Sequence, residues 1–529
     1  MGHPHKALRT ATTGAASAAL LAGTVFALSP AAPAAAATIG AHPGVRFVDI
    51  HGDGGTVLKA NVVTPANADG SRTYPVIVLP TSWATPQVQY LAQAAKLADS
   101  GYVVVSYNVR GFWQSEGNIE VAGTPDVADA SKVIDWALAN TPADPSRVGM
   151  AGMSYGAGIS LLAAAHDKRV KAVAALSGWA DIPASIYGGR TEHLQAAALL
   201  GGTGYVTGRP SPELQQFMKD FLGGIDLAKE DEMIAWGKKR SPATYVDQIN
   251  RNGAAIMLGN AWGDTIFPPN QYAEFYERLT VPKRLEFRPG DHATAELTGL
   301  LGLPNDTWTS ARRWMDHYLK ADDNGVDREA PVRIKSRSDG GYESYPDWKS
   351  VGADTRKFEL EGTEKIHANI DSGANGGVTV LSSALDQFLK VPPMASIPLL
   401  PRWFAAVWQS ERYASEQHVR GTAKLHTTVT STKESGTLIA YLYDVGPLGL
   451  GKLISNAPYT FHGQTPGRPF GVDMELYSTA YDVPAGHRLA LVVDTVDPLY
   501  IEHNPSGAKL TFSSPAHDPS YVSVPLREK

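Results

Sequence analysis

The side chains able to do chemistry centre on a glycine-framed serine, Gly152-Met153-Ser154-Tyr155-Gly156. A serine hydroxyl at its ordinary pKa is a weak nucleophile and needs a base within hydrogen-bond reach. Between a strand and a helix, a G-x-S-x-G run makes a tight turn that raises the hydroxyl above a sheet. The same turn aims the free N–H groups of the helix start at the carbonyl under attack. Alone, the pattern is common, and its bland reading is a glycine-rich turn around a buried serine. Here it lies between an apolar strand and a small-residue helix, which favours the nucleophile.

The chain has 15 histidines, so position must select the base. His292 lies in Pro289-Gly290-Asp291-His292-Ala293, directly after a predicted strand. His166 and His317 sit in helical patterns, where a satisfied histidine is the simpler reading. Asp264 follows an earlier strand and gives the chain order Ser, Asp, His. It would accept the imidazole N–H and stabilise the imidazolium. Asp291 is the rival acid, but a carboxylate next to the base rarely reaches back onto its own ring.

Charge developing on the attacked oxygen needs an oxyanion hole. The Tyr155 backbone N–H is one donor, and the loop Pro80-Thr81-Ser82-Trp83 should supply the second, assigned to the Trp83 backbone N–H. Trp83, Trp113, Trp179 and Trp262 fall in loops at one edge of the predicted sheet. They are read as apolar walls for an acyl or prolyl group, although packing of neighbouring segments would also use them. No histidine and carboxylate cluster has metal-ligand spacing, and no cofactor is called for.

The elements that must hold these residues alternate. Tyr74–Leu79 and Tyr102–Tyr107 are continuous apolar runs, as strands buried on both faces should be. Asp126–Leu138 spaces its apolar residues at helical intervals, and strands at Arg147–Gly152 and Val170–Leu176 flank a helix at Ala157–Ala165. Such alternation predicts right-handed crossovers and a mostly parallel sheet. Residues 180–250 break the pattern and read as a helical insertion. The strands resume at Ala254–Leu258 and Arg284–Arg288, with helices at Asn270–Leu279 and Trp308–Leu319. Past residue 329, Val, Thr and Tyr runs alternate with turn residues, and Thr437–Tyr443, Arg488–Asp494 and Tyr521–Val524 read as sandwich strands. Gln387–Trp408 reads as a long excursion.

A chain of 529 residues, 43% hydrophobic and 19% charged, is composed like an ordinary globular protein. The net charge of −6 is interspersed, with no basic block that would argue for nucleic acid. Lys6 and Arg9, the apolar stretch Thr13–Leu28 and the alanine run ending at Ala37 follow the order of a secretory signal peptide. Residues 1–37 are therefore expected to be removed near Ala37, giving a secreted bacterial protein without stable membrane association. The apolar core is shorter than the ~20 residues of a spanning helix. Cysteine is absent, which excludes disulfides and thiol chemistry.

The motifs together resemble the cocaine-esterase and X-Pro dipeptidyl-peptidase (CocE/NonD) family of α/β-hydrolases. Tyr107-Asn108-Val109-Arg110-Gly111, continuing to Ser115-Glu116-Gly117, is similar to the family's D-x-R-G…S-x-G run. Gly152–Gly156 matches its G-x-S-Y-G elbow, and Asp264 and His292 fall where its acid and base belong. Tyr345-Pro346-Asp347-Trp348 and Leu442-Tyr443-Asp444-Val445 resemble phrases of its C-terminal domain. The resemblance implies an α/β-hydrolase domain at 38–328 and an all-β jelly-roll, galactose-binding-like domain at 329–529. Asn108 stands where the family usually has aspartate. The family's oxyanion tyrosine is missing from Pro80–Trp83, so a backbone donor or Ser82 must substitute. The implied substrates are small esters, short amides or proline-containing peptides. An X-Pro dipeptidyl-peptidase must also hold a free ammonium, for which Asp181, Glu192 and the other acidic residues of the insertion are the candidates. The reading favoured is an acyl-ester hydrolase, with X-Pro peptidase close behind. A reading of another class is a glycan-binding module with a degenerate hydrolase half.

Overall fold

The computed structural model describes residues 44–529 except 67, 69, 70 and 339. The expected signal peptide therefore lies outside the described residues. Ten strands form one sheet in the order β1-β2-β4-β3-β5-β6-β7-β8-β9-β10. They are β1 (Val45–His51), β2 (Val57–Val63), β3 (Tyr74–Pro80), β4 (Val103–Tyr107), β5 (Ala143–Met153), β6 (Val170–Leu176), β7 (Ala255–Ala261), β8 (Lys283–Arg288), β9 (Val332–Lys335) and β10 (Tyr342–Tyr345). From β4 to β9 every pairing is parallel, and β1, β2 and β10 join antiparallel.

Strands β3 and β7 are buried along their whole length, which is why they read as unbroken apolar runs rather than alternating ones. Val76 and Val78 of β3 enter one core with the helices Thr124–Asn140 and Tyr155–His166. Ile77 and Leu79 enter the other, with Leu91–Asp99 and Asp306–Lys320. The period-two alternation of a strand thus feeds two helical layers at once. The sheet runs past the expected boundary at 328, because β9 and β10 continue it.

Between β6 and β7 the helical insertion forms a cap of five helices, Ile182–Ile186, Leu194–Thr207, Pro212–Leu222, Glu230–Lys239 and Val246–Asn252, among the described residues. Ser211 caps the third of these by accepting the Leu214 N–H at 3.2 Å, with Pro212 in the first turn, both common helix-start devices.

The remaining chain builds an eight-stranded and a five-stranded antiparallel sheet that share an apolar core including Leu442, Leu491, Val429 and Phe512. A helix at Leu381–Leu389 and short strands at Met394–Ser396 and Ala406–Gln409 interrupt the stretch expected to be an irregular excursion. This domain is bound to the first one by polar contacts. Glu192 meets His503 at 2.7 Å, Thr191 meets Thr460 at 2.7 Å, and the Asn270 side chain bridges the backbone of Leu476 and Ser478.

Candidate active site

Strand β5 ends at Met153, and the helix Tyr155–His166 starts one residue later. Ser154 takes the whole reversal, with φ 53° and ψ −117°, a conformation that costs a non-glycine residue about 1–3 kcal/mol. Two close backbone approaches crowd the turn on either side of the serine. A Cβ on Gly152 would lie 2.5 Å from the Gly156 carbonyl carbon, and one on Gly156 would lie 2.1 Å from the Pro80 carbonyl oxygen. The glycines of the G-x-S-x-G run are therefore required by space.

The loops after β7 and β8 bring the other two residues in. His292 Nε2 is 2.8 Å from Ser154 Oγ, and Nδ1 is 3.0 Å from Asp264 Oδ2. The remaining Asp264 oxygen accepts the Ile266 N–H at 3.0 Å and the Phe267 N–H at 2.7 Å, so this buried carboxylate is held by its own turn. Burial alone would lower the His292 pKa. The charge and hydrogen bond of Asp264, aided by Asp291 and Glu296, outweigh it and hold the imidazole above its usual value. Asp291 is pushed up to about 6 by burial and by Asp264. Burial also pushes Glu296 up to about 7 against the pull of Arg288, and it accepts the Ser177 hydroxyl at 3.1 Å. The array can draw a proton from the serine hydroxyl and hold the resulting imidazolium.

A cavity of about 80 Å³ opens from Ser154 into the cap. Trp83, Tyr155, Trp179 and Phe267 line it near the serine, and Leu200, Phe217 and Trp236 come from the cap helices. Among the described residues, no charged side chain lines it. Trp83 packs edge-on against Tyr155 at 5.2 Å, and Phe217 stacks on Trp236 at 4.1 Å.

The residues expected to bind substrate divide on this geometry. Trp83 and Trp179 line the cavity, whereas Trp113, Trp262 and Asp181 do not. Trp113 lies at the surface with its indole N–H on the Ala84 carbonyl at 3.1 Å. Trp262 is buried against Phe287 and Trp348 and donates to the Lys335 carbonyl at 2.7 Å, so it packs the sheet edge. Asp181 caps the helix Ile182–Ile186 and pairs with Lys238. Glu192 is spent on the Ile225 N–H at 2.9 Å and on His503. Ser82, the alternative oxyanion donor, gives its hydroxyl proton to the Met153 carbonyl at 3.0 Å. Asn108 keeps a bond to the Phe112 carbonyl at 3.0 Å, while its Oδ1 has no partner among the described residues.

The cap residues of the cavity were not singled out from sequence. Leu214, Phe217, Met218 and Phe221 do recur at helical spacing, but that signal equally describes a helix packing onto a core.

Comparison with known proteins agrees with this architecture. Residues 53–294 match the model of the X-Pro dipeptidyl-peptidase S15 family, and residues 324–523 match that of the X-Pro dipeptidyl-peptidase C-terminal non-catalytic domain. A Bacillus cereus protein named "Putative Xaa-Pro dipeptidyl-peptidase" is 21% identical over 449 residues, 78% of this chain and 74% of that one. An α-amino acid ester hydrolase superposes with a TM-score of 0.69 at 16% identity, covering 92% of this chain and 97% of its own. A CocE/NonD family hydrolase of Staphylococcus aureus does so with a TM-score of 0.64 at 13% identity, covering 90% and 93%. These structural likenesses speak to the fold.

Proposed function

The chain belongs to the X-Pro dipeptidyl-peptidase S15 family, and with it to hydrolases of the serine esterase and peptidase type, and within that family we propose that it hydrolyses neutral acyl esters. Ser154 attacks the ester carbonyl while His292 takes its proton, and Asp264 stabilises the imidazolium. The tetrahedral oxyanion is received by the backbone N–H groups of Tyr155 and Trp83, each worth roughly 3 kcal/mol of barrier. His292 then protonates the departing alcohol, leaving Ser154 acylated. Water, activated by the same imidazole, releases the acid and restores the serine.

The observation that carries the choice of substrate is the lining of the cavity beside Ser154. It offers aromatic and aliphatic walls and no carboxylate. An α-ammonium transferred there would lose its hydration with nothing to replace it, at a cost of several kcal/mol. Asp181 and Glu192 are bonded elsewhere, and among the described residues no other carboxylate of the insertion lines the cavity. An uncharged acyl group loses nothing on entry and gains about 25 cal/mol per Å² of apolar surface covered.

The family name favours the second reading, an X-Pro dipeptidyl-peptidase. The test compares wild type with Ser154→Ala on p-nitrophenyl butyrate and on Ala-Pro-p-nitroanilide. Cleavage of the ester alone, abolished in the variant, supports the proposal, whereas efficient release from the anilide overturns it in favour of the peptidase.

The two-sheet domain is read as a jelly roll of structural role, and residues 1–37 as a cleaved export signal. N-terminal sequencing of protein from the culture medium tests the latter. A start near Thr38 is expected, and an intact Met1 would contradict it.

A further inference from the structure

Asp291, rejected as the acid partner of His292, is fully buried, and one of its oxygens serves both loops of the array. Oδ1 accepts the His292 N–H at 2.7 Å, the Thr265 N–H at 2.9 Å and the Thr265 hydroxyl at 2.9 Å. Thr265 directly follows Asp264, so this single atom joins the loop of the acid to the loop of the base. Oδ2 has no partner among the described residues. Leaving a carboxylate oxygen dry costs more than leaving out the group altogether, and hydrogen bonds to an ionised acceptor are about twice as strong as neutral ones.

The C-terminal domain closes on the same point from outside. The Val380 N–H donates to Thr265 Oγ1 at 2.9 Å, and Thr294 Oγ1 donates to Gln387 Oε1 at 2.6 Å while accepting the Asp291 N–H at 2.8 Å. The approach leaves no room for a side chain at Gly263 or Gly290 of the two loops. A Cβ on Gly263 would come 2.6 Å from Ser383 Cβ, and one on Gly290 would come 2.7 Å from Gln387 Oε1.

We propose that Asp291 is a positioning residue that clamps the Asp264 loop to the His292 loop, and that residues 378–387 of the C-terminal domain hold the clamp shut. This inference rests on the reading of Ser154, His292 and Asp264 as the hydrolytic array. The clamp fixes the imidazole between its two partners without touching substrate, so its loss should fall on kcat and leave KM in place.

The experiment measures kcat and KM on p-nitrophenyl butyrate, together with the rate at which a fluorophosphonate labels Ser154. Displacing reacting groups by about 1 Å costs roughly 100-fold, so Asp291→Ala is expected to lower kcat and labelling ~30–100-fold with KM within about twofold. Asp291→Asn keeps the Oδ1 acceptor and should recover to within ~5-fold of wild type. Gln387→Ala should lower kcat ~3–10-fold, and adding it to Asp291→Ala should change little further, because both act on one clamp. Asp291→Ala indistinguishable from wild type, Asn no better than Ala, or a loss confined to KM would each overturn the proposal. If Asp291→Ala does not fold, Thr265→Val removes the two bonds of the Thr265 hydroxyl, to Asp291 and from the Val380 N–H, while keeping the side chain's shape. It should show the same kcat-only loss, and an unchanged kcat would overturn the clamp. A wild type that neither cleaves the ester nor labels at Ser154 would defeat the hydrolase reading itself. An active wild type with unaffected variants would defeat the clamp alone.

Discussion

On one side of Ser154 stand His292 and three buried carboxylates, Asp264, Asp291 and Glu296. On the other, the cap surrounds a cavity with aromatic and aliphatic side chains and, among the described residues, not one charge. The first side concentrates charge around His292, and its loops are tied to each other and to the C-terminal domain by hydrogen bonds of 2.6–2.9 Å. The second is held by ring packing such as Phe217 on Trp236, which fixes shape without fixing charge. On the proposed function, directional polar bonds would specify the reaction and desolvation the choice of acyl group.

The sharpest way to break the polar side is to disable its acid. Asp264→Asn keeps the volume but favours the wrong imidazole tautomer, and in a Ser-His-Asp array that costs about 10⁴-fold in kcat. Esterase kinetics at saturating substrate would show it, and a loss under tenfold would assign the acid elsewhere. A charge placed on the apolar side should do something different. Leu200→Asp puts a carboxylate into the cavity wall, so hydrolysis of p-nitrophenyl butyrate should fall ~10–100-fold while esters bearing an α-ammonium improve, by the coupling expected of a desolvated ion pair. Equal losses on both ester types would mean that the cavity does not hold the acyl group.

The pH profile reads the polar side alone. Because the base must be neutral and its pKa is raised, kcat/KM should fall about tenfold per pH unit below an apparent pKa higher than 6.5. That limb should move to lower pH in Asp264→Asn. A limb below 6 in the wild type would contradict the assigned surroundings. The smallest effect belongs to Asp181→Asn, since the Lys238 pair lies outside the cavity. Activity on neutral esters and on Ala-Pro-p-nitroanilide should change less than about twofold, as exposed ion pairs contribute little.

The same contrast explains what could be read in the sequence. The elbow was legible because its glycines answer local backbone crowding, and His292 and Asp264 because chain order and strand ends placed them. Strands β3 and β7 were visible as unbroken apolar runs. The cap wall was not, since Phe217 and Met218 carry the same pattern whether they line a cavity or fill a core. The placement of Asp181 and Trp262 outside the cavity is hidden for a related reason. A sequence shows that a carboxylate or an indole is near the sheet edge, but its partner, here Lys238 or the Lys335 carbonyl, comes from far along the chain. The proposed role of Asp291 is not legible in the sequence, because it depends on Thr265 and on a helix at Leu381–Leu389 in a stretch rich in Pro, Leu and Phe.

The measurement that tests the account most directly compares two esters with one leaving group, the p-nitrophenyl esters of propionic acid and of alanine. They differ at the acyl α-carbon by an ammonium, so the ratio of their kcat/KM values reports whether the site accepts that charge. The account predicts a preference for the propionyl ester of at least about tenfold, the size of one unpaired buried charge after partial solvation. A preference for the alanine ester would contradict it and place a carboxylate at the acyl group that the cap cavity does not contain.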